Sequence, residues 1–524
     1  MRFDTPLDLH HRVALAMEYI RNNPDRKRDF RPYFSYQLLN APAFMLHTFF
    51  DTPHVAGRFL DAIGRAATMG VPADEEVEQG LTRQLLGCIG PDGFGYAEPG
   101  RSSPCEAIMH DQRELLFGLV ALIRLRHSER ALEAAQRLCR AFAAVTQATA
   151  DVPGPALRAD GSWAAGADWE SFRYPPANFG RLVTALNQYY VVSKDAVALT
   201  LARRLVDCNL ARCFSPEGVL TSWAGFHLHS VTGLVESIVE FGLLVNEHAY
   251  IRRGKAIYDV GLRPYRSDFG WVKENLANEA NDGEANNTGD LLRTALLLGR
   301  AGYPEYFEQV ERMLRNHLLA SQLLDVDWIR AHEDANRPDE YDRTYHNIAE
   351  RARGGFGFTS PNDWVTDQNR KAKLYPLNAD IVQGSVQAIV SSWEQALMRE
   401  PVGIKVNLFL TRQTDFAALT SHLPQTGRLE IRLLTDDNLL VRIPSWADLG
   451  AVSIRVNNAD QPVQVAADYF LIPNLQRGDY VEVDFPTTHT VVEEAVNYQL
   501  YQVGWLGDTV VSLTPRGGRL PLYI

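Results

Sequence analysis

Residues 428–443, RLEIRLLTDDNLLVRI, decide the fold. Leu429, Ile431 and Leu433 alternate with Glu430 and Arg432, the turn-forming TDDN follows, and Leu439, Val441 and Ile443 alternate again. An apolar period of two, broken by turn chemistry, describes strands with one face buried. The pattern returns in Val452, Ile454 and Val456, and in Val481, Val483 and Phe485, punctuated by VNNAD and QRGD. Short alternating strands at this spacing predict an antiparallel β-sandwich over residues 403–524.

Upstream of about residue 400 the period is helical. In HDQRELLFGLVALIRLR (110–126), Leu115, Leu119, Leu122 and Ile123 share a face, as do Val310, Met313, Leu314 and Leu318 in EYFEQVERMLRNHLLASQ (305–322). Similar runs cover approximately 7–22, 54–69, 128–147, 178–191, 193–212, 229–245, 286–300 and 380–399. The loops between them are alternately short and long, and the long ones are rich in glycine, proline and tryptophan. Paired helices of this kind predict a closed toroid over residues 1–402, and the absence of a strict sequence period makes it irregular.

Bulk properties exclude several classes. At 524 residues the chain exceeds one ordinary core, which predicts more than one domain. A formal net charge of −12 argues against nucleic acid, whose phosphates need clustered Lys and Arg. No stretch approaches the roughly 18 apolar residues of a membrane span, and the N-terminus does not read as a secretory signal. Cys88, Cys105, Cys139, Cys208 and Cys213 are odd in number and form no CxxC. A reduced, cytoplasmic protein is the expectation, and the sequence is compatible with a homodimer.

The long loops concentrate aromatics and carboxylates. Trp163, Trp169, Tyr174, Trp223, Phe226, Trp271, Tyr345, Phe356, Phe358 and Trp364 lie in or beside them. Sugar rings stack on aromatic faces, so the composition suits a carbohydrate pocket; the alternative is that these rings fill the toroid. The segment GWVKENLANEANDGEANNTGDLL (270–292) carries Glu274, Glu279, Asp282 and Glu284 just ahead of an amphipathic helix. Carboxylates there can be helix caps, Asp290 can be a plain helix-face residue, and His110 and Asp111, opening another helix, fit either an N-cap or a pocket edge. Glycoside hydrolysis, however, needs two carboxyl groups flanking the scissile bond. Glu274 and Glu284 are the first candidates, with Trp271 beside them as a stacking residue. His227 and His229, in WAGFHLHS, are candidate sugar-binding residues or structural histidines, since two histidines so spaced diverge on a helix. Asn362 and Asp363, in GGFGFTSPNDW, are candidate polar lining or a plain turn.

The order of several motifs resembles the β-L-arabinofuranosidase-type glycoside hydrolases of family 127. They are GWVKE, GEANNTGDLLRTALLLGRAGYPEYFEQVERMLRNHLLASQ, GGFGFTSPNDW, ADIVQGSVQAIVSSWEQAL with VGIKVNLFL, VRIPSWADLGAVSIRVNNADQ and YQVGWLGDTVVSLTPRGGRLPLYI. The resemblance implies an (α/α)6 barrel with a β-sandwich and exo-glycosidase activity on a furanoside or related sugar. It also implies a site that departs from the family's, whose members hold zinc through a glutamate and three cysteines, one of them the nucleophile. Glu284 falls on the metal-binding glutamate, but Asn286, Asp380 and Ile381 stand where the cysteines would be. The expectation is therefore no metal and no cofactor, with Glu274 as acid/base and Asp380 or Glu284 as second carboxylate. Asp380 also sits where an ordinary helix N-cap would. The expected activity is a glycosidase on a small oligosaccharide or glycoside. An unsaturated-uronide hydrolase, a sugar epimerase or a non-catalytic carbohydrate-binding protein are the alternatives, because fold does not fix reaction.

Overall fold

A computed structural model describes residues 7–97, 105–146, 152–165, 170–277, 282–334, 336–366 and 377–523. Among these residues, six helices stand side by side in a closed inner ring: Ala56–Thr68, Gln112–Arg126, Leu182–Ser193, Leu228–Leu244, Ala285–Arg300 and Ile381–Ala396, with the last packed against the first. An outer helix precedes each one in the chain: Leu9–Asn22, Glu75–Gly87, Glu129–Val145, Ala196–Cys213, His248–Ala256 and Tyr306–Met313. This is the toroid of paired helices that the helical spacing and the alternating loops predict, with the six pairs that the resemblance implies.

The difference between the two rings is written in their residues. Outer helices such as Glu129–Val145 bury one stripe (Ala131, Ala134, Ala135, Leu138, Phe142) and show the rest to water. Inner helices are covered all round; in Ala285–Arg300 even Asn286, Asn287, Thr288 and Asp290 are buried. Close approach of inner helices depends on glycine. A Cβ on Gly57 would lie 2.0 Å from the Glu114 carbonyl oxygen on the neighbouring inner helix.

Because outer and inner helices alternate along the chain, all six inner helices point the same way. Their C-terminal ends connect onward through short links such as 127–128 and 194–195. Their N-terminal ends receive the long connections, including 88–111, 214–227, 257–284 and 314–380. One end of the toroid therefore carries both the elaborate loops and six helix N-termini.

The expected sandwich follows, with two adjustments. A six-stranded sheet contains Arg428–Leu433, paired with Ala417–Ser421 and Tyr480–Asp484. It faces a five-stranded sheet that begins at Leu397–Glu400, straight off the last inner helix. Pairing is antiparallel except between Gly403–Val406 and Asp437–Arg442. Leu429, Ile431, Leu439, Val441, Val481 and Val483 meet in one core, as their alternation requires. The second adjustment is at the C-terminus. His489–Val496, Gln499–Leu506 and Thr509–Thr514 form a separate three-stranded sheet. Its Tyr501, Val503, Val510 and Leu513 join the core of the toroid rather than that of the sandwich.

Buried polar clamps join toroid and sandwich. Glu311 accepts a hydrogen bond from the Phe409 amide at 2.6 Å and pairs with Arg442, both groups being buried. Arg315 donates to the Phe409 carbonyl at 2.6 Å, while Asn316 donates to the Asp508 carbonyl at 2.9 Å and so ties the toroid to the three-stranded C-terminal sheet. No described helix is long and apolar enough to cross a membrane.

Candidate functional site

The first residues of the inner helices build the site. Four outer helices start with a side-chain cap: Asp8, Asp74, Ser128 and Asp195 each accept from a backbone amide of the first turn. No inner helix does. The residues at the inner N-cap positions, among them Asp111, His227, Glu284 and Asp380, make no such bond. Asp380 is thus at an N-cap position without acting as a cap, and its side chain is committed elsewhere.

Asp380 is bound on one side only. Its Oδ2 lies 3.4 Å from His54 Nε2 and 3.5 Å from Arg58 Nη1, and Arg58 also donates to the Asp380 carbonyl at 3.1 Å. Its buried Oδ1 has no hydrogen-bond partner. Burial would raise this carboxyl, but the Arg58 guanidinium and His54 outweigh it and hold Asp380 below the usual aspartate range, so it is ionised. His54 is the matching cation. Burial opposes its charge, yet Asp111, 2.8 Å from Nδ1, and Glu114 bring it up to about 9.

Glu274 and Glu284 sit in the opposite environment. Glu274 lies in the loop ahead of helix Ala285–Arg300, its backbone held by Asp282 and by the Leu228 amide at 2.9 and 3.1 Å. Burial, aided by the neighbouring Asp282 charge, raises its carboxyl to about 7. Glu284 is pushed well above the carboxylate range by burial and then by Asp380 and Glu274, which places the three acids within electrostatic reach of one another. Two carboxyl groups driven in opposite directions, Asp380 ionised and Glu274 protonated near neutrality, are the environment that acid/base pairs require.

His227 and His229 do converge, contrary to the divergence expected on a helix. His227 precedes the first helical residue in an extended conformation (φ −82, ψ 92), which turns its ring back so that the two centroids lie 5.9 Å apart. Burial lowers His227 to about 4 and, with Arg58 and Arg113, lowers His229 well below the usual range, so both are neutral. Beneath them the barrel axis is filled by paired charge. Glu114 Oε1 accepts from Arg58, Arg113 and Arg181 at 3.0, 2.8 and 2.7 Å, and Arg293 joins Glu236 and Asp290. Buried charges persist only with such partners.

Other candidates have different roles in the structure. Trp271 is not a stacking surface: it is 1% exposed in the toroid core, and its indole donates to the Thr359 carbonyl at 2.9 Å. Asn362 and Asp363 do not line the site but dock the C-terminal segment. Asn362 donates to the Pro515 carbonyl at 2.9 Å, and Asp363 accepts from the Arg519 and Leu520 amides at 2.7 and 3.0 Å. Trp223 is half exposed on a surface turn with the Arg212 guanidinium 4.5 Å over its ring. Tyr345, Phe356 and Trp364 are buried packing, so those rings do fill the fold; Trp169 and Glu279 lie outside the described residues.

Sequence reasoning missed His54 and Arg58, and it missed two rings. Phe172 stacks on His110 at 4.1 Å and lies 6.1 Å from His227, while Phe50 lies 5.2 Å from His54. Position was the available signal: His54 stands directly before an inner helix, as His110, His227, Glu284 and Asp380 do.

The zinc–thiolate site of the resembling family does not fit these residues. Asn286 and Ile381 are fully buried, neither is a thiolate, and Asp380 is engaged by His54 and Arg58. Among the described residues no grouping of metal-ligating side chains contains a cysteine.

No family model matches the chain, and no curated protein matches it. Solved structures do. A family 127 β-L-arabinofuranosidase from Geobacillus stearothermophilus T6 superposes with a TM-score of 0.61 at 14% identity, over 95% of this chain and 80% of that one. A family 127 β-arabinofuranosidase gives 0.62 at 15% identity, over 95% and 78%. A protein described as a glycoside hydrolase gives 0.59 at 12%, over 93% and 84%. The chain therefore has the fold of these glycoside hydrolases, helical toroid and β region together.

Proposed function

We propose that this protein is a glycoside hydrolase in which Glu274 is the general acid and Asp380 the opposing carboxylate. The observation that carries the reading is the state of Asp380: ionised, anchored through Oδ2 by His54 and Arg58, and left with an unpartnered Oδ1. A carboxylate so held acts at the anomeric carbon either directly or through a water, while Glu274, with its carboxyl at about 7, protonates the departing oxygen. Phe172, stacked on His110 and beside His227, supplies an apolar face for a sugar ring. The fold shared with β-L-arabinofuranosidases makes small furanosides the first substrates to try.

The test is a panel of aryl furanosides and pyranosides of both anomeric configurations. Turnover is expected on a furanoside, with kcat/KM falling about tenfold per pH unit above roughly pH 7, where Glu274 loses the proton it must donate. No acidic loss is expected until pH falls below the ordinary aspartate range, because Asp380 is held ionised down to there. Sugar binding without turnover anywhere on the panel would instead make this a carbohydrate-binding protein.

A further inference from the structure

We infer that His227, His229 and Glu284 form a binding site for one divalent cation of the zinc class. One ring nitrogen of each histidine and one Glu284 oxygen lie within 4.8 Å of one another. His229 Nδ1 and Glu284 Oε1 are 3.4 Å apart. Roughly 3.3 Å is the edge of a tetrahedron whose metal–ligand bonds are about 2.0–2.1 Å. The pair is thus already spaced as two ligands of one ion, with a His227 ring nitrogen within 4.8 Å of both as the third.

The surroundings hold these ligands in the required orientation. Ser230 Oγ lies 2.7 Å from His227 Nδ1; in the tautomer protonated at Nδ1, that bond leaves the Nε2 lone pair for an ion. His229 Nε2 faces the Asp290 carboxylate at 3.7 Å, and its Nδ1 faces Glu284. The Asn286 amide donates to Glu284 Oε1 at 2.7 Å and fixes the carboxylate. Each ligand therefore has an outer partner, as ligands of tuned metal sites do.

A second grouping, His54, His110 and Asp111, lacks this property. His110 donates from Nδ1 to the Ala177 carbonyl at 2.9 Å, and Arg181 occupies Nε2, so no lone pair is spare and a guanidinium stands where the ion would. Two imidazoles and one carboxylate select zinc, cobalt or nickel over magnesium or calcium, which prefer all-oxygen sets. Three protein ligands leave at least one position open to water or a sugar hydroxyl. Thiolates are absent from these ligands, and the convergence of His227 and His229 supplies nitrogens in their place.

This inference goes beyond the glycosidase reading and does not depend on it. The probe is Zn²⁺ alone, without any glycoside. Wild-type protein is expected to retain about one equivalent of zinc through dialysis against metal-free buffer. Its Co²⁺ form is expected to show d–d absorption without a thiolate charge-transfer band. His229→Ala and Glu284→Gln should each lose the equivalent, while His54→Gln should keep it. A wild-type chain that retains no zinc, or a folded Glu284→Gln variant that binds it as tightly as wild type, overturns the site. Because binding is read without substrate, loss of the glycosidase reading leaves this result standing, and the reverse holds.

Discussion

Glu274→Gln will lower kcat/KM by roughly 10²–10⁴-fold on a glycoside with a poor leaving group, the usual contribution of a positioned general acid. On a dinitrophenyl glycoside, whose leaving group departs without a proton, the loss will be far smaller. The fall in rate above roughly pH 7 will vanish in the variant, because Glu274 is the group that titrates there. Asp380→Asn will fail on both substrates, since its oxygen is needed whatever leaves. That asymmetry separates the acid from the opposing carboxylate. The anomer of the first-formed product then separates direct attack, with carboxyls about 5–5.5 Å apart, from water activation at about 6.5–9.5 Å. If Asp380→Asn turns over normally and Glu284→Gln does not, the pair is Glu274 with Glu284.

The second large effect is on stability. Glu311→Ala removes the anion shared by Arg442, Arg315 and the Phe409 amide, all buried at the seam between toroid and sandwich. Breaking a buried pair by deleting one partner strands an uncompensated charge, a cost of about 3–5 kcal/mol. Urea unfolding should show the unfolding free energy falling by that amount, with a single transition seen by helical and tryptophan probes alike. Separate transitions for the two parts, or a change under about 1 kcal/mol, would mean that Glu311 does not couple them.

Periodicity made the architecture legible. The alternation of Leu429, Ile431 and Leu433 appears as buried strand residues, and the helical runs appear as the two rings. Periodicity cannot say which partner a strand meets, so the last three strands were assigned to the sandwich although Tyr501 and Val503 pack on the toroid. For the site, carboxylate-rich loops point to Glu274 and Glu284, whereas only composition points to Trp271, Asn362 and Asp363. A tryptophan in a glycine-flanked loop and an Asn-Asp turn look the same whether they face a ligand or anchor backbone; here they bond the Thr359 carbonyl and the C-terminal segment. His54 carried no local pattern, because its significance lies in contacts with Asp111 and Asp380, 57 and 326 positions away.

That last separation governs how the molecule acquires function during its synthesis. His54 precedes the first inner helix, and Asp380 opens the last. Until the chain has been made through residue 396 and that helix has closed against Ala56–Thr68, one half of the ion pair that holds Asp380 has nothing to hold. Contacts of such span are expensive in chain entropy and form late. Activity on refolding should therefore return after most of the helical signal, as the final event. On the proposed function, a nascent or truncated toroid, however helical, should show no turnover on the glycoside that the full chain cleaves.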